Sequence, residues 1–193
     1  MISDFFETNH YFVDKRNKFY YHIYNQKRER VGTIRQELTA LQKIFEAIIG
    51  SAWRPFFVEI RNANSGLEAS IFRNNLLSEI TIMDAQGKKI GVITKKRKFF
   101  KPEFKIMNSS DQIIAEVSDS WKGANFLVYD PSKNQIGSID KKWNRVMKEK
   151  NSSKGSYNVS ISISQSEKDD KIAIVASSIF IQMFFFKREI ICS

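Results

Sequence analysis

The sequence predicts a mainly β fold, a closed antiparallel barrel of about twelve strands around a central hydrophobic C-terminal helix. Two observations lead there: a hairpin-like pattern that recurs five times at identical spacing, and a fifteen-residue apolar stretch near the C-terminus. A third is negative, since no motif in the chain asks for a different architecture.

The repeat is an apolar residue, any residue, then Asn or Asp; a Gly or Ala follows seven positions later and an apolar residue two beyond that. It reads Ile23-Tyr24-Asn25 with Gly32 and Ile34, and Ile82-Met83-Asp84 with Gly91 and Ile93. It reads again as Ile106-Met107-Asn108 with Ala115 and Val117, and as Val128-Tyr129-Asp130 with Gly137 and Ile139. A weaker copy, Ile60-Arg61-Asn62 with Ala69 and Ile71, has Glu68 where the others carry an apolar residue before the small one.

This is the chemistry of a β-hairpin. A β-branched or aromatic run such as Phe126-Leu127-Val128-Tyr129 forms the first strand. The Asn or Asp opens the turn because its side chain can bond the backbone two residues on. Glycine at the small position of the returning strand marks a bend or a close backbone approach, so its recurrence at one register implies strands curving around something. Five hairpins supply ten strands. Tyr11-Phe12-Val13 and the alternating Asn158–Ile163 supply two more. Closure would then remove the exposed edges of the sheet.

Between the first two hairpins, residues 38–50 predict a helical insertion. Apolar residues at 38, 41, 44, 45 and 48 share one helical face, suited to packing on the outside of the barrel. The run from Ile172 to Phe186 is apolar on every face, so as a helix it must be buried on every face. Ser166 with Asp169 resembles a capping box at its start, and Lys187 and Arg188 suit its end, giving a helix over 166–188. Lipid or a barrel interior could hold it. Fifteen residues rise only about 22 Å, short of the roughly 30 Å hydrocarbon layer of a bilayer, and Ser177, Ser178 and Gln182 interrupt the run. A barrel of about twelve strands is too wide for its own side chains to fill. The interior is the better home.

Residues 1–193 therefore read as a single barrel domain. Cys192 is the only cysteine and cannot form an internal disulfide, and the first residues lack the layout of a secretory signal. The expected location is cytoplasmic, with peripheral contact at a membrane surface. His10 and His22, the only histidines, lie in strand-like stretches without metal-ligand spacing. No glycine-rich nucleotide cradle occurs. The expectation is a non-enzyme with no catalytic residue, no metal and no cofactor.

The chain carries 31 Lys/Arg against 21 Asp/Glu, a formal charge of +10. Eight Lys/Arg against Glu103 fall within residues 88–105, and six against Glu149 within 141–154. Lys95-Lys96-Arg97-Lys98-Phe99-Phe100-Lys101 interleaves aromatics with cations, a composition suited to anionic lipid.

Arg54-Pro55-Phe56-Phe57-Val58-Glu59-Ile60, Ile136-Gly137-Ser138-Ile139-Asp140-Lys141-Lys142-Trp143 and the closing Met183-Phe184-Phe185-Phe186 carry a family resemblance. The chain resembles the phospholipid-scramblase-like branch of the tubby C-terminal-like superfamily, which includes the plant LURP-one-related proteins. The resemblance implies a twelve-stranded barrel around a hydrophobic C-terminal helix, matching the hairpin count. Scramblases also carry a carboxylate-rich calcium loop between the last two strands. The corresponding 151–156 stretch holds no Asp or Glu, so no metal ligand carries over.

The expected function is a non-catalytic lipid- or phosphoinositide-binding module that contacts anionic head groups through Lys95, Lys96, Arg97, Lys98, Lys101, Lys141, Lys142 and Arg145. Two alternatives stand: a membrane-inserted phospholipid scramblase using residues 172–186, and a nucleic-acid-binding regulator. No recognition helix or stacking motif supports nucleic acid as a partner.

Overall fold

The computed structural model describes residues 4–17, 20–37, 56–73, 79–97, 102–119, 125–140, 157–162 and 167–185. A short helix, α1 (Asp4–Glu7), precedes β1 (His10–Lys15). Every copy of the repeat then folds as an antiparallel hairpin. The hairpins are β2 (Tyr20–Tyr24) with β3 (Arg30–Glu37), β4 (Phe56–Asn62) with β5 (Leu67–Arg73), and β6 (Ile80–Asp84) with β7 (Lys89–Arg97). Next come β8 (Pro102–Asn108) with β9 (Ile113–Asp119), and β10 (Asn125–Tyr129) with β11 (Gln135–Asp140). β12 (Tyr157–Ile161) and a C-terminal helix, α2 (Lys168–Phe185), complete the fold.

The turns share one construction. The Asp84 carboxylate accepts the N–H groups of Gln86 and Lys88, both at 2.9 Å; Asn62 and Asn108 do the same for the second and fourth residues after them. Asn25 and Asp130 keep the bond to the fourth residue, Glu29 at 3.0 Å and Asn134 at 2.8 Å. The residue three past each Asn or Asp adopts left-handed backbone: Arg28, Ser65, Gly87, Asp111 and Lys133 have φ between 59° and 80°. A β-bulge follows in all five hairpins, at Ile23/Tyr24, Ile60/Arg61, Ile82/Met83, Ile106/Met107 and Val128/Tyr129. A bulge bends its strand and steepens the twist, so the repeated spacing encodes curvature five times over.

Strand neighbours run β1-β12-β11-β10-β9-β8-β7-β6-β5-β4-β3-β2 and close on themselves, with His10 opposite Ser160 and Phe12 opposite Tyr24. Up-and-down order puts all five Asn/Asp turns at one end, here the turn rim. The connections that leave β1, β3, β5, β7, β9 and β11 lie at the opposite end, the far rim.

Inward residues such as Ile34, Ile60, Ile71, Ile106 and Val117 are fully buried, and each apolar burial of this size contributes roughly 1.5–3 kcal/mol. The interior is filled by α2, whose residues Ile172–Ile181 are at most 5% exposed. Lys88 of the β6–β7 turn meets Asp169 at 3.1 Å, so the helix starts at the turn rim and runs toward the far rim. The apolar segment thus lies inside the barrel, as the length argument predicts. The Glu167 carbonyl accepts the Lys171 N–H at 3.0 Å at the start of the helix, and Ser166 of the expected capping box lies outside the described residues. The expected helical ends at 186–188, and the insertion at 38–50, lie outside the described residues.

The turn rim is stoppered by α1, which the sequence reading missed. Phe5 and Phe6 are 2% and 1% exposed, Phe5 packs against Gly32, and the buried Tyr11 hydroxyl donates to the Phe5 carbonyl at 3.1 Å. Burial pushes the pKa of the Tyr11 phenol well up, so it stays a neutral donor.

Candidate functional site

The sequence segments that connect strand ends at the two rims differ in charge. Segments joining strands at the far rim (16–19, 38–55, 74–79, 98–101, 120–124 and 141–156) contain thirteen Lys/Arg and three Glu, a net of +10. The five turns at the other end contain four Lys/Arg and three carboxylates, a net of +1.

Lys95, Lys96 and Arg97 are the last three residues of β7, opposite Phe104, Glu103 and Pro102 of β8. Strand alternation puts Lys95, two residues past the buried Ile93, on the inward register at the far-rim end of β7. Lys95 is exposed there. Lys98, Lys101, Lys141, Lys142 and Arg145 lie outside the described residues. The strands that flank 98–101 and 141–156 have their described ends on this rim.

The basic run at 88–105 is not one patch. β7 is nine residues long and at about 3.3 Å per residue spans the barrel. Lys88 sits at the turn rim beside Asp169, and Lys105 lies on the outer wall 4.0 Å from Glu116. Among the described cations of the run, those at 95–97 lie at the far-rim end of β7.

Two further cations share the inward register there. Val13 is buried and Lys15, two residues on, lies opposite the buried Tyr21; Ile71 is buried and Arg73, two residues on, lies opposite Phe56. Ile93 and Lys95 repeat the relationship. Lys15 and Arg73 are half-buried. The sequence signal for them is an inward apolar residue followed at the next inward position by a cation at the strand's end. It is invisible to a search for charge runs because each cation stands alone. Gln36 lies on the inward register of β3.

On the outer wall, Arg16 lies across β2. Its Nε donates to His22 Nδ1 at 3.2 Å and lies 3.2 Å from Asp14 Oδ2, while its Nη2 donates to the Tyr24 hydroxyl at 2.7 Å. Burial lowers the pKa of His22, and the Arg16 and Arg30 charges lower it further against the opposing pull of Asp14. With Nδ1 accepting from a guanidinium, the neutral ring carries its proton on Nε2. His10 and His22 are both strand residues, in β1 and β2.

Among the described residues, no three His, Cys, Asp or Glu side chains are grouped to hold a metal. The carboxylate-poor 151–156 segment does not supply the oxygen ligands that calcium needs. The residues present do not fit the calcium loop of the resembled proteins.

The X-ray structure of a protein from Arabidopsis thaliana superposes with a TM-score of 0.56, covering 97% of this chain and 99% of that one at 10% identity. At that identity the likeness is one of fold. No curated protein sequence matches the chain. A family model described as Scramblase matches residues 1–188, nearly the whole sequence and all twelve strands. By that match the chain belongs to the Scramblase family, which points to a lipid-related function.

Proposed function

We propose that the protein is a non-catalytic module that binds anionic lipid head groups at a membrane surface through its far rim. The observation that carries the reading is the charge difference between the two sets of strand-joining segments, +10 against +1. A cation near an anionic leaflet contributes about 1 kcal/mol, and the contribution falls off within a Debye length. Net charge concentrated in one set of strand connections orients a molecule as well as attracting it. Lys95, exposed at the end of β7, is the proposed member whose side chain is described; Lys96, Arg97, Lys98, Lys101, Lys141, Lys142 and Arg145 are proposed with it.

The alternative of a bilayer span over 172–186 has less support. Ile172–Ile181 are enclosed by strands, and among the described residues no helix is long and apolar enough to cross a membrane. The test of the proposal is co-sedimentation of the full chain with phosphatidylcholine vesicles, with and without phosphatidylserine or a phosphoinositide. Retention only on anionic vesicles, reversed by salt, is the expected result. Equal retention on neutral vesicles, or none on either, overturns it.

A further inference from the structure

We propose that Arg16, His22, Tyr24 and Asp14 form a proton-operated latch, in which neutral His22 holds the Arg16 guanidinium back against the outer wall and protonated His22 releases it toward the membrane surface. The inference rests on the lipid-surface reading above and adds regulation to it.

The observation is where Arg16 points. It lies in the β1–β2 connection and is one of the thirteen cations of the far-rim segments. Its guanidinium nevertheless turns back along the wall and reaches Tyr24, which sits opposite Phe12, four residues back along β1. It donates to His22 Nδ1 at 3.2 Å and to the Tyr24 hydroxyl at 2.7 Å, and lies 3.2 Å from Asp14 Oδ2. The hydroxyl and Nδ1 are themselves 3.2 Å apart, so Arg16, His22 and Tyr24 close a triangle.

The triangle requires a neutral ring. Nδ1 accepts from the Arg16 Nε–H, and an imidazolium has no acceptor. Protonation would set two N–H donors and two positive charges against each other. Asp14 gives the protonated state a partner: it is directly opposite His22 in the β1–β2 pairing and only 7% exposed, so its carboxylate can turn from Arg16 to the imidazolium. An acid shared between two cations, one of which comes and goes with a proton, is a two-state element.

The other groups facing the ring come from β2, β3 and β4. Tyr20 and Tyr24 flank it on β2, with ring centroids 5.2 and 6.1 Å away. On β3, Thr33 lies opposite His22, Arg30 opposite Tyr24, and Arg35 opposite Tyr20. Beyond Thr33, Arg61 and Glu59 of β4 pair with each other at 2.8 Å. Burial, Arg16 and Arg30 oppose protonation of His22 and Asp14 favours it, so the latch opens below the ordinary histidine value of 6.5.

The experiment uses the full chain without a histidine tag, since His10 and His22 are then its only imidazoles. Co-sedimentation is measured from pH 7.5 to 5 on vesicles of phosphatidylcholine with phosphatidylglycerol, whose phosphodiester keeps its charge over that range, and on phosphatidylcholine alone. Nitrogen NMR follows the His22 ring and Arg16 Nε over the same range. The variants are His22→Gln, His10→Gln and Arg16→Gln, with circular dichroism as the check on folding. Wild type and His10→Gln are expected to bind the anionic vesicles about fivefold more tightly at the acid end. His22→Gln is expected to show no rise and Arg16→Gln a smaller one, and the Arg16 resonance to shift with the midpoint of the His22 ring. An equal rise in His22→Gln would overturn the latch, as would an Arg16 resonance that ignores the titration of His22. A full rise in Arg16→Gln would assign the effect to the imidazolium charge alone and overturn the release. A matching rise on phosphatidylcholine alone would assign it to acid loosening of the barrel, with the same consequence. Wild type that binds anionic vesicles equally at both ends of the range would overturn the latch and leave the surface reading intact. No binding at any pH would remove both.

Discussion

Gly91 of β7 and Ala173 of α2 touch where the helix enters the barrel. A Cβ placed on Gly91 would lie 3.1 Å from the Ala173 Cβ and 2.8 Å from the Met107 carbonyl oxygen. Both neighbours are held by packing, one by a helix inside the barrel and the other by the adjacent strand. The glycine is therefore the point at which the repeat makes room for the helix. Gly91→Ala should destabilise the fold by about 1–3 kcal/mol through overpacking, and Gly91→Val by more. Denaturant unfolding of the two variants checks this, and unchanged midpoints would mean that the helix is not seated as described.

Ser177 faces the core of the barrel at 0% exposure, and its hydroxyl has no hydrogen-bond partner among the described residues. Its neighbour Ser178 bonds the Ile174 carbonyl at 2.8 Å. A buried hydroxyl without a partner costs about 1–3 kcal/mol. Ser177→Ala is thus expected to raise the melting temperature, whereas Ser178→Ala is expected to lower it or leave it unchanged. Calorimetric melting of the pair distinguishes them.

Gly87 fills the left-handed position of its turn, while Arg28, Ser65, Asp111 and Lys133 hold that backbone with side chains. A non-glycine residue in this region is disfavoured by roughly 1–2 kcal/mol. Glycine also loses more chain entropy on folding, which offsets part of the gain. Arg28→Gly is expected to stabilise by about 0.5–1 kcal/mol, or roughly 1–4 °C in a domain of this size. Thermal melts of Arg28→Gly against wild type measure it.

The lowered His22 pKa makes a signed prediction. The unfolded chain protonates near the ordinary value of 6.5 and the folded chain only at lower pH, so protons favour the unfolded state. The stability from neutral His22 is complete above pH 6.5 and is lost as the pH falls through the lower folded value. Arg16, Arg30, Asp14 and Tyr24 are the charged and titratable groups that set this balance. Melting temperature measured from pH 7.5 to 5 should fall more steeply for wild type than for His22→Gln. Parallel curves would show that the imidazole is not held against Arg16.

The barrel was legible in the sequence because turn chemistry is local. Asn25, Asn62, Asp84, Asn108 and Asp130 each cap their own turn, so a fixed spacing reports a fixed geometry. The apolar α2 run was legible for a related reason, since a helix greasy on all faces has few places to go. The stopper was missed because Phe5 and Phe6 are only two apolar residues, and their burial depends on Gly32 from a distant strand. A charge run read along the sequence does not make one patch, because β7 carries Lys89 and Arg97 to opposite ends of the barrel.

The most direct measurement compares the two ends of the barrel in vesicle binding. One variant neutralises Lys95, Lys96 and Arg97 to Gln; the other neutralises Lys27, Arg28 and Lys133 at the turn rim, removing the same formal charge. At about 1 kcal/mol per cation, the first should bind phosphatidylserine vesicles roughly a hundredfold more weakly, while the second stays within a few-fold of wild type. Equal losses in the two variants would mean that net charge alone attracts the protein, and would contradict a membrane-binding far rim.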